Sequence, residues 1–516
     1  DEKTPADFTS RALNLPAYEA LLRTRGWAAA DVEDVCRLSP MQAGLLFQSL
    51  FEKESRAYFV QMAYRLRGRL DAARLEAAWR EVGRQHAILR TNFVHDGLDE
   101  PLQLIWRERR AEIVTTDLRN LAPAEQVRTI AAARAADLAR GFDLERDALW
   151  RVSLWRTADD AIEVIWSYHH LLLDGWSLGL VQRDLLRAYD GAAGASPVPF
   201  RHYIRWLAAR DLGLSRRYWA EYLAEFDAAT GLPILAKPAA HAPFAAADHL
   251  LELGENLSGG LRTLAARAGV TLNTVLQAAW GLVLGRHNRT HDVVFGAIVS
   301  GRPADLPGVE EMVGPFICAV PVRVRATATT RVAALLGELQ RAALAGEAHH
   351  HLPIADVQAL TPLGRDLFDH LLVFENYPVD RGMGAGESAW RVEGVEAHDR
   401  THYDLDLTVD PATSVAVKFG YNRSVYPDDQ IARVASQLRS VLAQMAAQPD
   451  TAIGELTLTT PDEAQLVLET FNATTASVPA AATLLDLLDE AAAKNSGRMA
   501  AVHDDVALTY RELHTR

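Results

Sequence analysis

Hydrophobic residues in the first part of the chain recur with two different periods. The run AYFVQMAYRLRG (57–68) alternates with period two, which predicts a β-strand with one buried face. The following segment (70–86) predicts an amphipathic helix whose apolar face is formed by Leu75, Ala78, Trp79 and Val82. Strand and helix patterns therefore follow each other closely, as they do in mixed α/β folds.

The same alternation continues around a pair of histidines. The run AIEVIWSYHH (161–170) predicts a strand that places on one side Ile162, Val164, Trp166 and Tyr168. The next helix is predicted over SLGLVQRDLLRAYDG (177–191), with Ser177 as its N-cap and Gly191 as its stop. The residues between this strand and this helix are expected to form a loop.

The second half of the chain repeats this mixed pattern. The nearly all-apolar run TLNTVLQAAWGLVLGRH (271–287) predicts a buried helix, and DVVFGAIVSGRP (292–303) predicts a strand that runs into a loop. Two alternating runs, VPVRVRA (320–326) and SVAVKFGYN (414–422), predict further strands. We therefore expect a second α/β unit after the first.

Breaks in the pattern divide the chain. The stretch GAAGASPVP (191–199) predicts a boundary between two lobes, and 230–248 is a second loop-like stretch. From residue 451 the sequence becomes rich in threonine and alanine. We therefore expect an upstream linker (1–35), an N-terminal lobe (36–195), a C-terminal lobe (196–455), a linker (456–480) and a closing fragment too short for its own core (481–516).

Composition narrows the class of protein. The chain has 516 residues, 49% of them hydrophobic and 23% charged, which is typical of a globular protein. Its 67 acidic and 53 basic residues give a net charge of −14, and this disfavours nucleic acid as a partner because phosphate backbones are also negative. With no apolar run near 18 residues and a polar N-terminal segment, neither a membrane span nor a signal peptide is predicted.

Cysteine and histidine usage predicts no metal site. Only Cys36 and Cys318 occur, which excludes a disulfide framework, gives no zinc-ligand spacing and favours a reducing cytoplasm. The run His349-His350-His351 is interpreted as a solvated helix end. Adjacent residues of an extended segment point to opposite faces, so His169 and His170 cannot easily share one ion.

The candidate chemistry lies in His169-His170-Leu171-Leu172-Leu173-Asp174-Gly175. A histidine at a strand end titrates near neutrality and suits proton transfer from an amine. Asp174 could hold the loop through an ion pair or orient a histidine, while Gly175 allows a tight turn. The structural alternative is one buried, hydrogen-bonded histidine and one incidental histidine.

A serine nucleophile is the competing interpretation of the same stretch. Gly175-Trp176-Ser177-Leu178-Gly179 fits the G-x-S-x-G pattern of serine hydrolases, in which the strand runs directly into the nucleophile turn. Here six residues separate the predicted strand end from Gly175. Helix capping is a sufficient reason for Ser177, although a hydrolase or thioesterase acting through it stays a possible alternative.

The 169–175 stretch resembles the HHxxxDG signature of nonribosomal peptide synthetase condensation domains. Six other stretches resemble further motifs of that family, in the family's order. They are LSPMQAGLLFQSL (38–50), RQHAILRTNF (84–93), FRHYIRWL (200–207), VSGRPADLPGVEEMVGPFICAVPVRV (299–324), HHHLPIADVQ (349–358) and HLLVFENYP (370–378). The chain departs from the family where His202 replaces an Asp and where Cys318-Ala319 replace Asn-Thr. The end of the closing fragment, LTYRELHTR (508–516), resembles the beginning of an adjoining adenylation domain.

The resemblance implies a fold and a reaction. The fold is two chloramphenicol-acetyltransferase-like lobes of mixed α/β structure, arranged as a V with the HHxxxDG loop in a tunnel at their junction. The reaction is attack by an aminoacyl α-amine, carried on a downstream carrier protein, on a peptidyl or acyl thioester carried upstream. The domain binds no cofactor itself, because both substrates arrive on 4′-phosphopantetheine arms.

The resemblance also assigns residue roles. His170 accepts the amine proton or stabilises the tetrahedral intermediate. Asp174 pairs with an arginine, for which Arg302 is the first candidate and Arg90 the second; both could instead be ordinary surface charges. Tyr168 and Trp176 are expected in the core or the tunnel wall. The subtype resembled is one with a D-configured donor and an L acceptor, and a starter domain that attaches a fatty acyl group is the alternative.

Overall fold

The computed structural model describes residues 3–51, 57–192, 197–234, 244–375, 390–475 and 483–516. It divides into two compact units, Asp1–Leu458 and Thr459–Arg516. Parts of two predicted segments, the lobe boundary at 191–199 and the loop at 230–248, lie outside the described residues.

Helices and strands alternate through the larger unit. Its first part contains α1 (Leu15–Arg25), β1 (Val32–Arg37), α2 (Pro40–Phe51), β2 (Phe59–Gly68), α3 (Ala72–Gln85), β3 (Thr91–Val94), β4 (Leu102–Trp106), β5 (Glu112–Asp117), α4 (Pro123–Arg140), β6 (Trp150–Ala158), β7 (Ala161–His169) and α5 (Gly175–Tyr189). Its second part contains α6 (Arg201–Ala208), α7 (Leu212–Tyr222), β8 (Ala246–Glu252), α8 (Glu255–Ala268), α9 (Leu272–Asn288), β9 (Asp292–Val299), β10 (Cys318–Arg325), α10 (Val332–Gly346), α11 (Ile354–Gln358), β11 (Leu371–Phe374), β12 (Trp390–His398), β13 (Leu405–Asp410), β14 (Ala416–Asn422) and α12 (Asp428–Ala447).

The first sheet has the strand order β12-β2-β7-β6-β5. Its β2–β7 pair is antiparallel, with Phe59 opposite His169. The apolar face of α3 packs on this sheet, where the rings of Trp79 and Trp166 lie 5.0 Å apart. The predicted strands at 57–68 and 161–170 and the predicted helix at 70–86 are therefore confirmed, because each periodic face is buried in this core.

The second sheet has the strand order β10-β9-β11-β13-β14-β8 and mixes parallel with antiparallel pairs. The predicted apolar helix is α9, and Trp280 at its middle is fully buried. Helices α8, α9, α10 and α12 contribute to the same apolar core as the sheet. The predicted strands over 292–303, 320–326 and 414–422 correspond to β9, β10 and β14.

The two cores are not separated at one point of the sequence. Strand β12, from the second half of the chain, pairs with β2 at the edge of the first sheet. Leu306, Val309 and Phe316 also belong to the first core, although β9 and β10 on either side of them are in the second sheet. The segment predicted to be an upstream linker is packed as well, since Tyr18 and Leu22 of α1 are buried against β1 and β4.

The smaller unit is described separately. It contains α13 (Pro461–Gln465), α14 (Leu484–Lys494), α15 (Tyr510–Thr515) and the antiparallel pair β15 (Met499–His503) and β16 (Val506–Thr509). No single helix in the described part of the chain is long and apolar enough to cross a membrane. Helices α8 and α9, which meet at a sharp bend, are long and apolar enough only when the two are counted together.

Candidate active site

The two adjacent histidines at the end of β7 have opposite surroundings. His169 is buried, its Nδ1 accepts a hydrogen bond from the Leu171 amide at 3.2 Å, and its Nε2 lies 3.3 Å from the Ser49 hydroxyl. Burial, with a smaller contribution from the neighbouring His170, lowers the pKa of His169 to about 3. His169 is therefore a neutral structural residue, with its ring proton on Nε2.

His170 faces a cavity. Its backbone amide donates to the Tyr58 carbonyl at 2.9 Å, which fixes the chain at the strand end. Its Nε2 lies 3.9 Å from Oδ2 of Asp399, and 16% of its side chain is exposed. Its Nδ1 is buried and has no hydrogen-bond partner among the described residues. The nitrogen that can meet a substrate is therefore Nε2.

The cavity beside His170 has a volume of about 1920 Å³ and is lined from both sheets. One side is formed by α2, β2 and the end of β7, including Met62 and Tyr168. The other side is formed by β9, β11, β13 and β14, including Ile298 and Val373. The imidazole of His170 is thus presented to a large space that both sheets line.

Asp174 is the N-cap of α5, and its carboxylate joins distant segments. Its side chain is fully buried, and its Oδ1 accepts the Ser177 amide at 2.8 Å. Its Oδ2 accepts the Phe316 amide at 2.9 Å, across 142 residues of sequence. A buried carboxylate that accepts two amides and faces an arginine orients the loop instead of meeting a substrate.

Ser177 is the third residue of α5, so the prediction that Ser177 caps this helix is wrong. Its hydroxyl donates to the Gly314 carbonyl at 2.8 Å and accepts the Gly314 amide at 3.0 Å and Arg302 Nη2 at 3.2 Å. A hydroxyl group can donate one hydrogen bond and accept two, so these three contacts use its full capacity. Because Ser177 is also fully buried, the structure gives no support to a serine nucleophile.

The two candidate arginines have different partners. Nη2 of Arg302 lies 3.5 Å from Asp174 Oδ1, and its Nη1 donates to the carbonyls of Val309 and Met312. The pairing of Arg90 with Asp174 is wrong, because Arg90 Nη1 instead lies 2.8 Å from Glu33 and donates to the carbonyls of Trp106 and Arg107. Glu33 lies on β1 and Trp106 on β4, so Arg90 connects strands of a third sheet, the small sheet, which has the order β1-β4-β3.

Tyr168 and Trp176 also have different surroundings. Tyr168 lines the cavity. The indole of Trp176 donates to the Glu310 carbonyl at 3.0 Å and lies 5.4 Å from the Arg302 guanidinium. Trp176 therefore packs on the segment between β9 and β10, and Tyr168 alone of the pair contributes to the wall.

Cys318 stands where the family motif has Asn. The side chain is buried, its Sγ lies 3.4 Å from the Phe316 carbonyl, and burial raises the pKa of its thiol to about 12. Gly301 lies close by at φ +59°, and a Cβ there would lie 1.9 Å from the Phe316 carbonyl oxygen. The thiol is therefore a small apolar filler in this tight contact.

The other histidine cluster is occupied by protein contacts. The Ser215 hydroxyl lies between His349 Nδ1 at 3.1 Å and His351 Nε2 at 3.2 Å. His350 lines the cavity, and burial lowers its pKa to about 4. Among the described residues, His95, Asp96 and Glu145 are the group close enough to hold an ion, and Glu145 is already paired with Arg25.

Comparison with known families agrees with the fold. The family model of the condensation domain matches residues 32–468. The chain therefore belongs to the condensation-domain family of nonribosomal peptide synthetases. Its mixed α/β structure is the chloramphenicol-acetyltransferase-like fold of that family.

Individual relatives are much longer proteins. Bacitracin synthase 3 of Bacillus licheniformis is 35% identical over 526 residues, which cover 100% of this chain and 8% of the relative. Tyrocidine synthase 2 of Brevibacillus parabrevis is 34% identical over 494 residues, which cover 94% of this chain and 14% of the relative. The chain thus spans only a small part of the length of each of these two relatives.

Solved structures show the same fold. The X-domain from teicoplanin biosynthesis superposes with a TM-score of 0.69 at 26% identity, covering 82% of this chain and 97% of that chain. A holo four-domain nonribosomal peptide synthetase bound to AMP and glycine gives a TM-score of 0.77 at 18% identity. That match covers 94% of this chain and 38% of the synthetase chain.

Two residues of the site belong to no motif that the sequence singled out. Asp399 follows β12, and Tyr58 precedes β2. Asp399 is brought near His170 by the pairing of β12 with β2, which joins segments more than 300 residues apart. Tyr58 is brought near His170 by the pairing of β2 with β7. The one local signal is the large aromatic residue at 58 before a strand, and this signal does not indicate function.

Proposed function

We propose that this domain catalyses amide bond formation between two carrier-bound substrates. The observation that supports the proposal is the position of His170 at a strand end, with Nε2 exposed to a cavity walled by both sheets. A catalyst that joins two tethered reactants needs such a shared space more than it needs a nucleophile, because placement accounts for much of the barrier.

The proposed reaction balances without a covalent enzyme intermediate. The acceptor's α-amine forms a C–N bond with the donor's thioester carbonyl carbon, and its proton passes to His170 Nε2. The tetrahedral intermediate collapses with loss of the C–S bond, and the imidazolium returns the proton to the leaving thiolate. An α-amine titrates at roughly 7.7–8.0, so a weak base suffices near neutral pH. General-base assistance is typically worth about 10²–10⁴-fold.

Asp174 and Arg302 are proposed as structural residues of this site. They hold the N-terminus of α5 against the Val309–Phe316 segment, which runs between the two sheets. The loop that carries His170 is thereby fixed from behind, while His170 itself stays open to the cavity.

The substrates are proposed to be a D-configured peptidyl or aminoacyl donor and an L-aminoacyl acceptor. This subtype rests on the resemblance of 39–47 and 169–177 to domains of that kind, and on the resemblance of TPADF (4–8) to the stretch that follows an epimerization domain. A starter domain transferring a fatty acyl group is the competing subtype. The mass and the stereochemistry of the product distinguish the two.

The proposed partners are an upstream donor carrier protein, a downstream acceptor carrier protein and an adenylation domain. Each carrier delivers its substrate on a 4′-phosphopantetheine arm, so the domain needs no bound cofactor of its own. Residues 481–516 are proposed to begin the adenylation domain, on the basis of the sequence LTYRELHTR (508–516).

The test is single-turnover transfer between two loaded carrier proteins. The donor carrier is loaded with D-phenylalanyl, L-phenylalanyl or octanoyl thioester, and the acceptor carriers with the common L-amino acids. Mass spectrometry of the intact acceptor carrier detects the amide product. We expect transfer, and a loss of about 10²–10⁴-fold in His170→Ala. The exposed His291, outside the cavity, provides the control His291→Ala, which should transfer at the parental rate.

Three outcomes contradict the proposal. An unchanged transfer rate in His170→Ala would show that His170 is not the catalytic residue. Release of free acid, blocked by a serine-directed covalent inhibitor, would indicate a hydrolase. Carrier binding with no transfer across the whole panel would indicate a docking domain without catalytic activity.

A further inference from the structure

Asp399 faces His170 across a short gap at the edge of the cavity. Its Oδ2 lies 3.9 Å from His170 Nε2, and 47% of its side chain is exposed. Both residues line the same cavity. We propose that Asp399 is a positioning residue for the reaction: it orients the imidazole of His170 and stabilises the imidazolium that forms when the amine proton is taken up. This inference rests on the proposed condensation activity.

The gap between the two residues is set by a strained connection. Tyr58 has φ +68°, a left-handed conformation that is costly for a bulky residue. Its carbonyl accepts the His170 amide at 2.9 Å, and its own amide donates to the Arg400 carbonyl at 3.0 Å. Tyr58 therefore holds the backbone of His170 and the backbone next to Asp399 at the same time.

A second contact fixes the segment that carries Asp399. The phenol of Tyr58 makes a short hydrogen bond with Nδ1 of His402. Upstream of Asp399, β12 is paired with β2 through His398, which lies opposite Gln61. Asp399 is therefore held between two anchored residues, and its distance from His170 is a consequence of the strand pairing.

The ring of His170 has a polar partner on one side only. Among the described residues, nothing bonds its buried Nδ1, so no contact there fixes the orientation of the ring. Asp399 approaches the other nitrogen, Nε2. A carboxylate near Nε2 is placed to stabilise the positive charge that the ring carries after it takes up a proton in the proposed reaction.

The remaining charged and titratable groups around the gap do not replace Asp399. His169 is neutral, since burial lowers its pKa to about 3, and burial lowers the pKa of His402 to about 4. Glu375 and Asp406 line the same cavity, where Lys418 is their common cationic neighbour and Asp399 is a like charge near both. The phenols of Tyr58 and Tyr168 face the same space.

The chain offers a matched set of variants. Asp399→Asn removes the charge at nearly constant shape, and Asp399→Glu retains it. Glu396 lies in β12, three residues before Asp399, but its carboxylate pairs with Arg134. Glu396→Gln is therefore a control that removes one carboxylate from the same segment without facing His170.

The first readout does not depend on transfer activity. The ring signals of His170 are followed by NMR against pH in the full chain, and are assigned by their loss in His170→Asn. A unit charge 4 Å away in a water-like medium moves a titration midpoint by about 0.7 pH unit. We expect Asp399→Asn to move the His170 midpoint down by about that amount. Asp399→Glu and Glu396→Gln should leave it within about 0.2 unit.

The second readout is the pH–rate profile of single-turnover transfer between the loaded carriers. Loss of the carboxylate destabilises the imidazolium, so the acid limb of Asp399→Asn should move to lower pH. The rate at its plateau should fall about fivefold, which corresponds to loss of one such charge interaction. Asp399→Glu should recover most of this loss.

The outcomes separate this inference from the proposed function. If the parental chain transfers and Asp399→Asn matches Glu396→Gln in both midpoint and rate, Asp399 has no positioning role. If the midpoint moves while the rate does not, the pair exists but does not assist the reaction, and the inference again fails. If the parental chain transfers nothing and the midpoint still moves, the proposed function fails while the pairing stands.

Discussion

The substitution Asp174→Asn separates a structural role of this carboxylate from a direct role in catalysis. The side chain of Asp174 is fully buried, and its partner Arg302 is 4% exposed. An asparagine can accept one of the two backbone amides, but its NH₂ group then faces a donor at the other position. The guanidinium is also left without a counter-charge. Breaking a buried pair by removing one partner typically costs about 3–5 kcal/mol.

That cost can be converted into a melting temperature. The unfolding entropy is about 2.1 cal/mol/K per residue, so a unit of 458 residues changes by about 1 kcal/mol per degree. We therefore expect Asp174→Asn to melt about 3–5 °C below the parental chain. Transfer activity should fall with the folded fraction and recover as the assay temperature is lowered.

The assay is thermal unfolding followed by intrinsic fluorescence, together with single-turnover transfer on the same samples. The control is Asp159→Asn, which removes a carboxylate that is 87% exposed beside Arg119. Exposed ion pairs contribute little, so this control should shift the melting temperature by less than about 1 °C. A variant Asp174→Asn that melts like the parental chain and yet transfers nothing would refute the structural role and place Asp174 in the chemistry.

The remaining predictions concern two other buried or cavity-facing groups. Ser177→Ala should destabilise the protein by about 1–3 kcal/mol in chemical denaturation, because it leaves the amide and carbonyl of Gly314 without a partner. A fluorophosphonate probe should not label the parental chain, and labelling would restore the hydrolase interpretation. Burial raises the pKa of Asp406 to about 7, against about 3.8 for an unperturbed Asp, so the folded state loses stability as pH rises from about 4 to 7. Asp406→Asn should therefore raise the melting temperature at pH 8 more than at pH 4, and an equal change at both pH values would contradict the shift.

Elements with a clear local period could be predicted from the sequence. Strand β7 and helix α3 were predictable because their residues in the first core recur every two or every three to four positions, although the other face of β7 is buried as well. The same local pattern placed His170 at a strand end. The fold class also followed from the order of strands and helices together with the family motifs.

Features set by interactions between distant residues could not be predicted. The start of α5 was misplaced because Ser and Asp are equally good N-caps, and two of them stand three residues apart. The choice of Asp174 is made by its contacts with Phe316 and Arg302, far away in sequence. Arg90 was misassigned for the same reason, since its partner Glu33 lies on a strand of the small sheet.

The pairing of β12 with β2 has a consequence for how the chain is made. The two strands pair between Gly68 and Trp390 at one end and between Gln61 and His398 at the other. At a synthesis rate of about 5–20 residues per second, β2 waits roughly 15–70 s for its partner. During that time the backbone N–H and C=O groups on its outer edge are unpaired and can form hydrogen bonds with strands of other chains. Completion of the first sheet, and with it the approach of Asp399 to His170, therefore has to wait until residues 390–398 have been synthesised.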